Sequence, residues 1–559
     1  MDLPSPSREA SSRDLTGTML AVLLGIAGFA LFVSWSTLIP TNIAWLANGD
    51  RAMHQLGWMF FRHAPWGLPP GASPNLGLEL SNSIGLVDGL PLFAFPFKLI
   101  EAWLPEPFQY WGYWLLLCYM LQALFGYKIA RALGAGQGIS LLAAAFALIT
   151  PAFASRYPMH MALGGHWLIL AALYLSVRPQ SPRLWAWPLL TATTAAVHAY
   201  LLAMVLALWV AALVQRLLLG TIGWKRAAIE IAAVALVTLT VLWTAGFLMT
   251  GSLGSAGFGA YKLNLLGPLI RDGWSEIFPE IPHLAYDYEG LSFLGVGILG
   301  LITIGLLAGA FGRIGILFSC RWWPLIVMTI LLTVFALSNK IGFADHELVT
   351  IPIPGWATGF LAMFRSSGRF VWPLLYLSTI AIVALIGVRF RSWLGATIVV
   401  AALVLQLADS GQALTRVERN TPRPSAVWSS ELKSPFWERV AAAGYDRIRE
   451  IPPRGMSGDW KALSYYAVTH GMATDSVYLG RTDETALKEL KARNKQMLAT
   501  GTFEPNTIYR LDPLSALQAA RHLRPDDLFA TIDGRIIFAR GGANLVEGLD
   551  IGPHSAIDG

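Results

Sequence analysis

Apolar runs recur from Thr18 to Leu407, separated by short polar breaks. Each is about 17–25 residues long, enough to cross a hydrocarbon core of roughly 30 Å as a helix. The pattern predicts about eleven spans: 18–39, 110–132, 138–154, 163–178, a pair within 184–219, 227–249, 291–313, 321–340, 370–388 and 393–408. The stretch 184–219 is too long for one span and breaks at His198 and Tyr200, which makes it a hairpin. Residues 84–104 are apolar but carry Asp88, Lys98 and Glu101. They admit either a span or an interfacial helix, and the parity of the later spans favours the interfacial helix. No internal duplication is visible. Past residue 410, charge rises and Pro and Gly cut the chain into short pieces. FWERVAAAGYDRIREI and TALKELKARNKQML read as helices, and SVYLG, TIYRL, LFATI and RIIFA as strands. The predicted organisation is a tail at 1–17, an all-α polytopic membrane bundle at 18–409 with a first outer loop at 41–108, and a small soluble α/β domain at 410–559.

Composition strengthens the membrane reading. The 559 residues are 55% hydrophobic and 14% charged, against about 25% charged in soluble domains. The net charge of +6 is small and spread over loops, so it reads as topology and nucleic acid is not an expected partner. Basic residues mark cytoplasmic loops: Arg8 and Arg13, Lys128 and Arg131, Arg178 and Arg183, Arg216, Lys225 and Arg226, Arg313, and Arg389 and Arg391. This register puts the long loops and the C-terminal region on the outer side. The first apolar stretch is too long for a signal-peptide core and lacks a small-residue cleavage site, so it reads as a retained helix. Cys118 and Cys320 lie in or beside apolar runs. Both read as packing residues, with neither a disulfide nor a metal site expected.

The unusual polar residues gather in the outer segments. Asp50 opens the first loop, followed by Arg51, His54, Trp58 and Arg62. Their spacing suits an amphipathic helix on the membrane surface, with Leu56, Trp58, Phe60 and Phe61 facing lipid or core. Asp50 reads either as a helix N-terminal acid or as a general base held near an acceptor hydroxyl. Asp88, an acid in an apolar stretch, needs a cavity or a partner such as Lys98 or an arginine. Arg156, His160 and His166 cluster around Gly164 and Gly165, with a histidine spacing poorly suited to zinc. His198 and Tyr200 mark a hairpin tip, and a glycine-rich loop brings Lys262, Asn264 and Arg271, then Glu289. Arg365 and Arg369 flank Ser366, Ser367 and Gly368. Two forked guanidiniums there suit either a phosphate cradle or lipid headgroups. Glu230 is the main acid within a span.

Four motifs, GDRAMHQLGWMFFR, ELSNSIGLVDGLP, HMALGGHWLILAALYL and FRSSGRFVWP, resemble a bacterial family of GT-C-like membrane proteins, DUF6311. The resemblance covers most of the chain. It implies a GT-C glycosyltransferase of the bacterial inner membrane, whose active site and C-terminal domain are periplasmic. Such enzymes pass a sugar from a polyprenyl-phosphate-linked donor to a glycan, lipid or protein acceptor. Asp50 matches by position the first-loop catalytic acid of the class, with His54, Asp88 and His160 grouped beside it. The resemblance implies that Arg365 and Arg369, with Lys262 or Arg156, hold the donor phosphate, and that His166, His198 and Glu289 line the substrate site. This sequence lacks the Asp-x-Asp or Asp-Glu pair of related versions at Asp50, so an inverting, metal-independent transfer with no cofactor is expected. The rival readings are a lipid-linked glycan transporter or flippase, whose signature would be paired repeats and broken helices, and a non-catalytic polysaccharide-assembly subunit.

Overall fold

The computed structural model describes residues 8–80, 82–156, 159–178, 183–249, 257–309, 321–456, 458–480 and 482–550. Cys320, Arg313 and the first residues of the glycine-rich loop lie outside them. In chain order the helices are α1 (Arg8–Phe32), α2 (Asp50–His63), α3 (Pro91–Leu99), α4 (Trp111–Ala132), α5 (Gln137–Leu148), α6 (Pro151–Ala154), α7 (Trp167–Val177), α8 (Ala186–Ala195), α9 (Ala199–Leu218), α10 (Trp224–Thr244), α11 (Val296–Leu307), α12 (Trp323–Leu337), α13 (Gly355–Ala362), α14 (Trp372–Arg389), α15 (Ser392–Arg419), α16 (Phe436–Ala442), α17 (Trp460–Thr469), α18 (Glu484–Thr500) and α19 (Pro513–Ala520). The strands are β1 (Lys340–Phe343), β2 (His346–Thr350), β3 (Arg447–Ile451), β4 (Ala473–Thr474), β5 (Thr507–Leu511), β6 (Leu528–Ile532) and β7 (Arg535–Ala539). The chain divides into two compact units. A helical unit comprises Met1–Trp45, Gln109–Val241 and Ala256–Pro424, and a mixed unit comprises Leu46–Phe108, Leu242–Ser255 and Ser425–Gly559.

In the helical unit a helix stands at each stretch the apolar pattern marked out. Among the described residues, six segments are long and apolar enough to cross a membrane: Asp14–Phe32, Trp111–Ala132, Ala199–Leu218, Trp224–Thr244, Ser367–Arg389 and Trp393–Arg416. Large apolar side chains remain exposed along them, among them Leu23 and Leu31 on α1 and Leu236 and Leu239 on α10. Water would penalise such continuous apolar faces, whereas lipid accommodates them. The protein is a multi-pass membrane protein. His198 caps the N-terminus of α9, its Nδ1 accepting the Tyr200 N–H at 3.1 Å, which is why the long apolar stretch breaks there. Glu230, buried on α10, takes two hydrogen bonds from Arg216, at 2.5 and 2.9 Å, and one from Trp209 Nε1 at 2.8 Å. Its charge is therefore answered where it lies. The 84–104 stretch contains only the nine-residue α3, too short to cross a bilayer. Helix α15 continues through position 410, where the composition changes.

The mixed unit is built on a five-stranded sheet of order β4-β3-β5-β7-β6. Strands β4, β3 and β5 run parallel, and β7 and β6 join antiparallel. The β6–β7 turn uses Asp533 and Gly534, both at positive φ, the pairing that tight hairpins favour. Ile451, Leu498, Phe503, Tyr509, Leu511 and Phe538 form the core on one face. Two sequence expectations are corrected here. FWERVAAAGYDRIREI is not one helix: α16 stops before Gly444, whose φ of +77° ends it, and RIREI forms β3. SVYLG is not a strand of the sheet: β4 is Ala473–Thr474, just before it.

Segment 75–77 of the first loop extends this sheet. Gly77 N–H donates to Thr474 O at 2.8 Å and Thr474 N–H to Asn75 O at 2.9 Å, so the otherwise open edge of β4 is covered. The join is held by Arg449, buried on β3. It forks onto Glu79 at 2.8 and 3.0 Å and also reaches Asp475 and Glu504, each at 3.2 Å. Helix α2 is buried from Ala52 to Arg62, its apolar residues together with His54 and Gln55. The surface-helix expectation is therefore overturned: both faces of α2 are packed. Arg62 is satisfied by the carbonyls of Glu101, Leu104 and Pro105 and by Glu106 at 2.8 Å.

Burial would raise the Glu79 carboxyl, but Arg449 and Arg493 overcome it and hold it down to about 2. Asp475 is wholly buried, and desolvation pushes it up to about 7 against the pull of Arg449. A raised folded-state carboxyl binds a proton that the unfolded chain releases at that pH, so Asp475 stabilises the fold increasingly as pH drops from about 8 towards 5. Glu79 acts the other way, and only below about 4.5, where its stabilisation is lost as pH falls towards about 2. The melting temperature of the purified protein should therefore rise between pH 8 and pH 5, with a shallower slope in Asp475→Asn. Equal slopes in the two proteins would remove Asp475 as the source.

Candidate functional site

In the mixed unit, Asp50 is the first residue of α2, following Gly49 at φ +58°, a left-handed conformation that glycine adopts freely. It lines a cavity of about 350 Å³ with Asn48, Glu431, Asp459, Trp460, Lys461 and Tyr478. Asp459 immediately precedes α17 and is fixed by Arg510 at 3.0 Å and Arg535 at 2.9 Å. Arg535 also holds Glu431 at 3.0 Å. The Trp460 and Tyr478 rings lie 5.4 Å apart at 35°. None of these C-terminal residues was singled out from the sequence. A strand, a glycine-bearing loop and a helix (RIREI, PPRGMSGD, WKALSYYAVT) was the available signal, and reading RIREI as helix concealed it.

The other first-loop candidates sit in the same unit. His54 is fully buried on α2, one turn beyond Asp50. Asp88 is half-buried at φ +50°. Lys98, considered as its partner, instead donates to the carbonyls of Phe61 at 2.6 Å and Ala64 at 2.7 Å, over the rings of Phe61 and Trp66.

In the helical unit, Glu289 stands between two buried arginines. Arg369 forks onto it at 2.8 and 2.9 Å, and Arg156 Nη1 donates to it at 3.2 Å. Burial opposes ionisation of Glu289, but the two guanidiniums prevail and hold its carboxyl down to about 2. Arg369 also lies over Tyr200 at 4.8 Å, and Arg365 over Tyr261 at 5.8 Å. The four residues expected to hold a phosphate thus differ: Arg369 is committed to Glu289, and Lys262 to Glu347 at 3.0 Å. Arg156 shares Glu289 with Arg369 and also lines a cavity of about 170 Å³ with Ser155, Asp272, Trp274, Tyr288 and Arg416. Gly368 is a packing residue, because a Cβ there would lie 2.7 Å from Gly290 Cα. His166 is buried against Trp372, its Nδ1 2.6 Å from the Tyr376 hydroxyl. The His160 and His198 rings meet edge to face at 5.2 Å.

The fold and these clusters define a multi-pass membrane protein carrying an α/β unit with an acid-lined cavity. The family model described as "Domain of unknown function (DUF6311)" matches residues 22–411, and that described as "DUF6311 C-terminal domain" matches 436–540. The chain belongs to the DUF6311 family. No curated protein matches it. Among solved structures it is similar to ArnT from Cupriavidus metallidurans in the apo state, with 12% identity and a TM-score of 0.42 over 96% of this chain and 99% of that one.

Glu289→Gln leaves two buried guanidiniums without their counter-charge, a loss of about 3–5 kcal/mol. Thermal unfolding in detergent should shift down by several degrees, and less in Glu289→Asp. An unshifted Glu289→Gln would show that the arginines do not depend on this carboxylate.

Proposed function

We propose that this protein is a membrane-embedded glycosyltransferase of the GT-C type. It would transfer a sugar from a polyprenyl-phosphate-linked donor to an acceptor hydroxyl on the periplasmic face. The observation that carries this reading is the position of Asp50, the residue matching the class's first-loop acid, on the wall of a cavity large enough for sugar rings. In this reading Asp50 takes the proton from the acceptor hydroxyl as that oxygen attacks the anomeric carbon, and the lipid phosphate leaves with the bonding electrons. General-base help of this kind contributes about 10²–10⁴-fold. Within the helical unit, Arg156, on the wall of its own cavity, and Arg365 carry positive charge of the kind that binds phosphate. Arg369 acts through Glu289, holding Arg156 in place. Glu230, the span acid a transport path would need, is consumed by Arg216 and Trp209, which favours transfer over transport.

The test is turnover of polyprenyl-phosphate sugars by purified protein in nanodiscs. Asp50→Asn should bind donor within about three-fold of wild type and lose about 10²–10⁴-fold in turnover. Full activity in Asp50→Asn would eliminate the base assignment. Absence of donor binding by the wild type across a broad panel would eliminate the transferase reading.

A further inference from the structure

We infer that the C-terminal wall of the Asp50 cavity is a binding subsite for a neutral carbohydrate, which makes the acceptor a glycan, and that Trp460 is its principal contact. The word acceptor rests on the transfer reading above; the subsite itself does not.

The first argument is topological. Strand β3 connects through α17 to β4 on one side, and the chain then returns through α18 to β5 on the other. The strand order therefore reverses beside β3. Open α/β sheets bind ligands outside the carboxyl ends of their strands at such a reversal. Gly458, Asp459, Trp460, Lys461 and Ala462, which line the cavity, belong to the loop and helix start that follow the carboxyl end of β3, and Tyr478 follows that of β4. The cavity thus lies at the carboxyl ends of β3 and β4, on one side of that reversal.

The second argument is chemical. Trp460 and Tyr478 pack on each other at 5.4 Å and give the cavity one aromatic wall, and the apolar C–H face of a pyranose packs on such a surface. Around them stand Asn48, Asp50, Glu431, Asp459 and Lys461, which together accept from and donate to hydroxyls. Specific small-molecule sites combine apolar surface with a few fixed polar groups in this way. Asp459 is held rigid by Arg510 and Arg535, so its hydrogen-bonding direction is set before a ligand arrives.

The third argument is charge. Three carboxylates and one lysine form the lining itself, while Arg510 and Arg535, which pair with Asp459 and Glu431, are not part of it. Although α17 begins here, and helix N-termini attract anions, Asp459 stands at its N-cap position and places a carboxylate beside that end. A uronate or phosphorylated sugar would meet like charge, so a neutral glycan is selected.

Full-length protein in nanodiscs would be titrated with cellotriose, mannotriose, chitotriose and trigalacturonate, with binding read by saturation-transfer NMR and calorimetry. At least one neutral trisaccharide should bind, and trigalacturonate at least about ten-fold more weakly. Trp460→Ala should weaken the neutral ligand about ten-fold, the loss of one aromatic contact, while Trp460→Phe stays near wild type and both variants keep the wild-type melting temperature. If Trp460→Ala fails to fold, Lys461→Ala and Tyr478→Ala take its place and should each weaken binding. The inference is overturned if none of the neutral probes binds, if trigalacturonate binds as tightly, or if removing these side chains leaves affinity unchanged. Donor turnover without glycan binding would sink the subsite and leave the transferase. Glycan binding without donor turnover would do the reverse.

Discussion

The mixed unit depends on what surrounds the Arg449 guanidinium. A cation buried on the central strands of a sheet is tolerable only when carboxylates meet it with good geometry. Arg449 receives them from three places: Glu79 in the first loop, Asp475 after β4 and Glu504 before β5. The fork onto Glu79 sets the position of segment 75–77, which then completes the edge of the two-residue strand β4. Earlier in the same loop, α2 packs against α17. Placing Glu79 therefore helps to place Asp50 beside the loop that follows β3. The ion cluster and the cavity are two consequences of one docking.

That dependence explains what could be read from the sequence. Apolar helices announce themselves by the apolar runs that form them, so the sites of α1, α4, α5, α7–α12, α14 and α15 were legible as helices. The capped break at His198 was legible too, because a polar pair interrupts a run too long for one span. The composition of the mixed unit was not. Glu79 and Arg449 are 370 positions apart, and no local pattern pairs them. The first loop looked like a surface amphipathic helix because α2 carries polar residues at helical spacing. Those residues are instead buried: Gln55 reaches the Phe108 carbonyl at 3.1 Å and Arg62 the carbonyls before Glu106.

The error with the greatest effect on function was local. Reading RIREI as a helical continuation ignored the two isoleucines and the break at Gly444, and it removed the strand from a strand–loop–helix unit. With β3 restored, PPRGMSGD becomes the loop at the carboxyl end of a central parallel strand, where a binding residue is expected. Asp50 stands out by its position in the chain, whereas the residues that line the cavity with it, Asp459, Trp460 and Tyr478, come together only through the sheet. Arg156, Glu289 and Arg369 were each noticed singly. Their mutual neutralisation was invisible, since they lie on three separate stretches of chain.

The electrostatics of the two units differ in a way that bears on chemistry. The buried cluster of the helical unit has two guanidiniums against one carboxylate and keeps one net positive charge, with Arg156 on a cavity wall. The cavity of the mixed unit is lined by three carboxylates and one lysine. A fixed cation suits an anionic group, and fixed carboxylates suit hydroxyls. Holding each in a preformed ion network keeps its geometry from depending on substrate. Glu289 orients the arginines, and Arg510 and Arg535 orient Asp459. Asp50 has a different support, the N-terminus of a buried helix. Gly49 and the first turn of α2 fix where that side chain meets the cavity.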